Sequence, residues 1–264
     1  LTASLTSGIV EDFAGIGFEN MPPGAVSRKT PVKPHFSLIS DDKFRQLYQT
    51  MVRLRASRGA SARPRNIEAA LAGFAVDLIA GDLVLAEVGL FPPDALPLER
   101  SGGAVPVFSY TKQDEALPAT AAGAALGLRS AGDHGVVVMF CHAGKHHRHL
   151  WRASLTSAAQ QRLPILFVLM PERNDDERTQ ASIAAEAVDA GVIAIPVDAA
   201  DAVAMYRVAF ESLARARRRT GPTLILATHY EVEGQKRKTV NEDPVSRMKD
   251  YLRSKGIALS TRRS

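Results

Sequence analysis

Four short apolar runs, at 136–140, 165–170, 192–197 and 223–227, constrain this chain more than any other feature. Each is rich in β-branched residues and lacks polar–apolar alternation, the pattern of strands covered on both faces. Helical periodicity occupies the gaps between them, around 150–161, 183–190 and 202–218. Strand–helix alternation with crossovers of this length predicts a right-handed, mostly parallel α/β sheet. In the helix at 202–218, Val203, Tyr206, Phe210 and Leu213 form the predicted apolar face. Asp201 starts that helix, and Arg215, Arg217, Arg218 and Arg219 end it, where they complement the dipole and face solvent.

Upstream, Ser40 is the predicted N-cap of a helix with Asp41 and Asp42 in its first turn. Phe44, Leu47, Tyr48, Met51 and Leu54 follow at helical spacing, and Gly59 can close it. A second helix carries Ile67, Leu71, Phe74 and Leu78 and stops at Gly81. A third, at 118–128, is built from Ala119, Ala121, Ala122, Gly123, Ala124, Ala125 and Gly127, small enough for close packing within or between chains. Residues 1–40, with Met21-Pro22-Pro23-Gly24, Pro31 and Pro34, read as an extended or flexible arm ahead of a domain at 41–264. They lack the basic start and apolar centre of a signal peptide.

Composition narrows the function classes. No stretch approaches the ~18–20 consecutive apolar residues of a membrane span. The single Cys141 excludes an internal disulfide framework and fits a reducing, cytoplasmic setting. Thirty-three basic against 28 acidic residues give a net charge of +5, too mild an excess to argue for nucleic acid. The basic run Lys236, Arg237 and Lys238 lacks the interleaved aromatics on which bases stack. Neither nucleic acid nor membrane is an expected partner.

In an open parallel sheet, ligands gather beyond the carboxyl ends of the strands. Four loops qualify, at 141–149, 171–178, 198–201 and 229–238. The first packs Cys141, His142, His146, His147 and His149 into nine residues, with Gly144, Lys145 and Arg148 among them. Imidazole and thiolate suit zinc or another borderline metal. Lys145 and Arg148 equally suit an anion at a helix start, and a solvated basic loop is the third reading. The sequence has no G-x-S-x-G elbow, phosphate-binding loop, G-x-G-x-x-G after a strand or C-x-x-C.

The order of segments resembles the alpha subunit of 2-oxo acid dehydrogenase E1 components. Leu47-Tyr48-Gln49-Thr50-Met51-Val52-Arg53-Leu54-Arg55 is similar to that family's opening helix, and Leu117-Pro118-Ala119-Thr120-Ala121-Ala122-Gly123-Ala124-Ala125 to its alanine–glycine helix. Gln161-Arg162-Leu163-Pro164-Ile165-Leu166-Phe167-Val168 is similar to the later helix-to-strand passage. Pro196-Val197-Asp198, Gly221-Pro222-Thr223-Leu224-Ile225 and Asp243-Pro244-Val245-Ser246-Arg247-Met248 continue the match, which runs from about 41 to 258. The resemblance implies a thiamine diphosphate-binding-like fold, a mainly parallel sheet flanked by helices on both faces. It also implies an oxidoreductase subunit, a magnesium-held thiamine diphosphate, and a homo-oligomer or an E1-beta-like partner.

The resemblance also exposes departures. The family holds magnesium through Gly-Asp-Gly after one strand and Asn-Asn after the next. Here the first position reads Cys141-His142-Ala143-Gly144, which puts His142 or Ala143 on the metal aspartate. The second falls on Pro171-Glu172, leaving Glu172 on the metal asparagine. The family's glycine- and histidine-containing stretch is shortened to Ser101-Gly102-Gly103-Ala104-Val105, and its Gly-His-Ser loop corresponds to Gly234-Gln235-Lys236. The expectation is a non-catalytic or repurposed subunit without magnesium in the usual site and with a candidate anion loop of His142, Gly144, Lys145, His146, His147 and Arg148. A working, diverged E1-type subunit whose thiamine diphosphate meets that loop is one alternative. A metal site of His142 and Glu172, with His146, is another.

Overall fold

The computed structural model describes residues 39–57, 67–88, 90, 105–110, 116–142, 148–170, 177–228 and 243–259. Among them the order is α1 (Asp41–Ala56), α2 (Glu68–Ala75), β1 (Leu83–Glu87), β2 (Val107–Tyr110), α3 (Leu117–Ser130), β3 (Val137–His142), α4 (Arg148–Gln160), β4 (Ile165–Met170), α5 (Glu177–Asp189), β5 (Ile193–Asp198), α6 (Ala202–Arg217), β6 (Thr223–Thr228) and α7 (Pro244–Ser254). The six strands form one sheet in the order β2-β1-β3-β4-β6-β5, and every pairing is parallel. All four apolar runs are in it, as β3 to β6, and Cys141 is the penultimate residue of β3. The expected architecture is present, except that β5 lies at the sheet edge and is buried only at Val197 rather than on both faces.

Both faces of the sheet are covered. Val138 and Phe140 of β3, Leu166 and Val168 of β4, and Ile225 of β6 pack into a core with α1, α2, α6 and α7. Their neighbours Met139, Cys141, Phe167, Leu169 and Leu224 pack into a second core with α3, α4 and α5. Because side chains alternate along a strand, a strand apolar at every position must be roofed twice. Edge-on aromatic contacts tie roof to sheet on each side, Phe74 on Phe140 with centroids 5.3 Å apart and Trp151 tilted on Phe167 at 5.8 Å.

The caps follow the expected chemistry. The Ser40 hydroxyl accepts Lys43 N–H at the start of α1, and Asp201 accepts Val203 and Ala204 N–H at the start of α6. Asp243 accepts Val245 and Ser246 N–H ahead of Pro244 in α7. Helix α2 ends at Ala75, short of the expected stop at Gly81, whose φ of +94° belongs to the turn into β1. All eight residues of α2 are buried. It lies so close to α6 that a Cβ on Gly73 would be 2.9 Å from the Met205 backbone.

That proximity corrects the expected face of α6. Its buried residues are Ala202, Met205, Tyr206, Ala209, Ser212, Leu213 and Ala216, while Phe210 is exposed. Tyr206 and Leu213 are buried as expected, but they share that face with Met205, Ala209 and Ala216, and it is the backbone of Met205 and Tyr206 that Gly73 approaches. The arginines at its end also need correction. The guanidinium of Arg217 donates to the fully buried Asp82 at 2.6 Å, and Arg219 donates to the carbonyl of Asp133.

Asp82 fixes the amino end of the β1–β3 pair. Its two oxygens accept the N–H groups of Ile79 and Val136, each at 2.9 Å. Burial pushes its carboxyl above the ordinary value, against the pull of these donors and Arg217. Beside it the backbones of Gly81 and Gly135 touch so closely that a Cβ on Gly135 would overlap the Gly81 carbonyl.

Candidate functional site

From β1 the sheet extends outward to β2 on one side, and from β3 to β4, β6 and β5 on the other. The chain therefore leaves β1 and β3 toward opposite edges of the sheet, the kind of position where an open α/β sheet gathers its ligands. Glu87 ends β1 and His142 ends β3, one step past the Ala86–Phe140 pair in the register. Both are buried. Oε2 of Glu87 accepts the backbone N–H of His142 at 3.0 Å and lies 2.5 Å from its ring Nδ1. One carboxyl oxygen thus meets both the backbone N–H and the ring of a single residue, in keeping with the need of a buried polar group for partners.

The neighbouring Cys141 is fully buried. Burial first, and then the charge of Glu87, push its thiol well above the ordinary value. It is a neutral core thiol at physiological pH and neither a nucleophile nor a thiolate ligand.

Of the other loop residues expected to bind, Gly144, Lys145, His146, His147 and Glu172 lie outside the described residues. Arg148 is the first residue of α4. His149, also on α4, lines a surface cleft of about 740 Å³ with Arg152, Glu186 and Asp189, on the helical layer rather than the sheet edge. Among the described residues no three His, Cys, Asp or Glu side chains converge as a metal group. The loop at 198–201 is committed to structure, since Asp201 caps α6 and Arg247 reaches Asp198 at 3.3 Å and Asp201 at 3.6 Å.

Glu87 was not among the expected site residues. The signal that could have found it is the short run Leu83-Val84-Leu85-Ala86 behind the Gly81-Asp82 turn, with a carboxylate at its end. The described residues do not fit magnesium at the position where the resemblance puts the metal aspartate. A hard octahedral ion wants oxygen ligands, whereas His142 offers an imidazole with Nδ1 already engaged. The Glu87 oxygen nearest to it is occupied by His142.

No family profile matches the chain. It resembles the pyruvate dehydrogenase E1 component subunit alpha of Bacillus subtilis (strain 168), at 26% identity over 157 residues, covering 52% of this chain and 42% of that protein. The protein of the same name from Staphylococcus epidermidis (strain ATCC 35984) is 24% identical over 157 residues, with the same shares covered. The chain thus spans less than half the length of these curated relatives. Among solved structures, benzoylformate decarboxylase from Polynucleobacter necessarius superposes with a TM-score of 0.47 at 14% identity, over 67% of this chain and 35% of that one.

Proposed function

We propose that this chain is an E1-alpha-like subunit that has lost the usual magnesium–thiamine diphosphate motif and serves in a non-catalytic or repurposed role. The observation that supports this reading is the pairing of His142 with Glu87 at the carboxyl end of β3. Of the two residues that the resemblance aligns with the metal aspartate, His142 is turned to a partner inside the protein and carries nitrogen where magnesium requires oxygen, and Ala143 has no ligand atom in its side chain. The loop with Gly144, Lys145, His146, His147 and Arg148 is the candidate anion site of such a subunit. Its partner is a second copy or an E1-beta-like chain, in keeping with relatives that are themselves named as subunits.

Isothermal titration with thiamine diphosphate, with and without magnesium, tests the reading. The expected result is no magnesium-dependent binding in the micromolar range. A lost charge-assisted contact to the ion corresponds to a loss on the order of a hundredfold in affinity. Micromolar binding that a chelator abolishes would overturn the proposal in favour of a working, diverged enzyme subunit.

A further inference from the structure

Two polar side chains, His142 and Glu87, are 9% and 4% exposed and meet at the carboxyl ends of the neighbouring strands β3 and β1. One oxygen of Glu87 holds both the backbone and the ring of His142, so the imidazole cannot rotate without breaking a buried contact. An oxygen that already accepts an amide proton favours the ionised carboxylate, and an ionised carboxylate has no proton to give. Nδ1 must then carry the hydrogen. In a neutral imidazole this leaves Nε2 with a bare lone pair. Nε2 has no hydrogen-bond partner among the described residues, nor is it one of the buried polar atoms without a partner, which places it on the open side of the ring.

We infer that Glu87 is a positioning residue that fixes the tautomer of His142, and that Nε2 is the hydrogen-bond acceptor which the carboxyl end of β3 offers to an O–H or N–H of a bound small molecule. Two buried groups that merely neutralised each other would need one bond. Here a single carboxylate oxygen makes two to the same residue, setting both the direction of the ring and the nitrogen left over. The same logic orients imidazoles in metal and hydrolytic sites, where a carboxylate on one nitrogen decides what the other does. The inference extends the reading of a repurposed subunit and stands apart from thiamine diphosphate, because it is measured on the chain without ligand.

Long-range proton–nitrogen NMR of the full chain with labelled histidine reads the tautomer, with His142→Gln identifying the signal by its loss. The expected wild-type spectrum has hydrogen on Nδ1 and none on Nε2, and Glu87→Leu shifts the population toward Nε2–H. Diethyl pyrocarbonate, which acylates an unprotonated ring nitrogen, provides the second readout by peptide mass spectrometry. The expected rate at His142 falls about tenfold in Glu87→Leu, with His134 and His149 unchanged. A wild-type His142 protonated on Nε2 would refute the inference, as would a tautomer and acylation rate indifferent to Glu87→Leu. If that variant does not fold, the wild-type spectrum alone decides.

Discussion

Replacing Gly135 by alanine probes the joint at the amino end of the β1–β3 pair. The added Cβ would stand 2.8 Å from the carbonyl carbon of Gly81 and closer still to its oxygen, below the 3.0 Å that real Cβ atoms respect. The obstacle is backbone on both sides, so no side-chain rotation relieves it, and the oxygen must retreat by about 1 Å. Next to it, Asp82 binds Val136 N–H, and Leu83 N–H donates to the Val136 carbonyl, so the retreat strains the bonds that set the β1–β3 register. Overpacking of this kind costs about 1–3 kcal/mol, and backbone against backbone belongs at the top of that range. A loss of ~3 kcal/mol corresponds to a melting point lower by ~6–12 °C in a domain of this size. Gly81→Ala is the comparison. Its Cβ would meet only Asp133 Oδ1 at 3.6 Å, so the cost is that of φ +94° alone, about 1–2 kcal/mol. Gly123→Ala, within α3 and with nothing within 4 Å, is the opposite control, expected to stabilise by up to ~1 kcal/mol. Urea and thermal unfolding followed by circular dichroism rank the three. A Gly135→Ala protein within ~0.5 kcal/mol of wild type, or more stable than Gly81→Ala, would refute the steric reasoning.

Asp82→Ala leaves two backbone N–H groups without their acceptor and Arg217 with only the Asp77 carbonyl. It should cost about 2–4 kcal/mol in urea unfolding, with Asp82→Asn milder because it keeps an acceptor oxygen. The hydrogen bond from Arg55 holds the Asp243 carboxyl down to about 2 from an ordinary 3.8. A depressed carboxylate stabilises fully above its ordinary value and loses its contribution as pH falls through the folded one, so stability should drop by about 1 kcal/mol between pH ~4 and ~2 after allowance for solvent screening. In Asp243→Asn that step should flatten, as read from melting temperatures across that window. Static light scattering should return a mass above the 28.4 kDa of one chain. A monomer mass across a wide concentration range would count against the proposed subunit role.

What could be read in the sequence depended on how many faces each element buries. Strands β3 and β4 are buried at every position, and their apolar runs are unmistakable. Strand β2, Val107-Phe108-Ser109-Tyr110, is an edge with two exposed positions and carries no such signature. Strand β1 has five residues squeezed behind a turn, and missing it meant missing Glu87. His142 was found because its loop is compositionally odd, but its partner is 55 residues away and only the fold brings them together. The same distance problem hid Asp82 from Arg217, which a helix-end argument alone sends to solvent. In α6 Tyr206 and Leu213 pointed to the buried face but Phe210 did not, since the face that meets Gly73 of α2 runs through Met205 and Ala209 instead.

The complete enclosure of α2 bears on how the chain is made. Seven of its eight residues are apolar or glycine, and it packs against α6, which begins more than 120 residues later. At a synthesis rate of ~5–20 residues per second, the ribosome finishes α2 some ~6–25 s before the residues that cover it emerge. Throughout that interval a nascent chain presents a sticky helix with α1 at hand but its α6 side uncovered, a target for holdase chaperones. A ribosome stalled anywhere between the two helices would display the same surface for as long as the stall lasts.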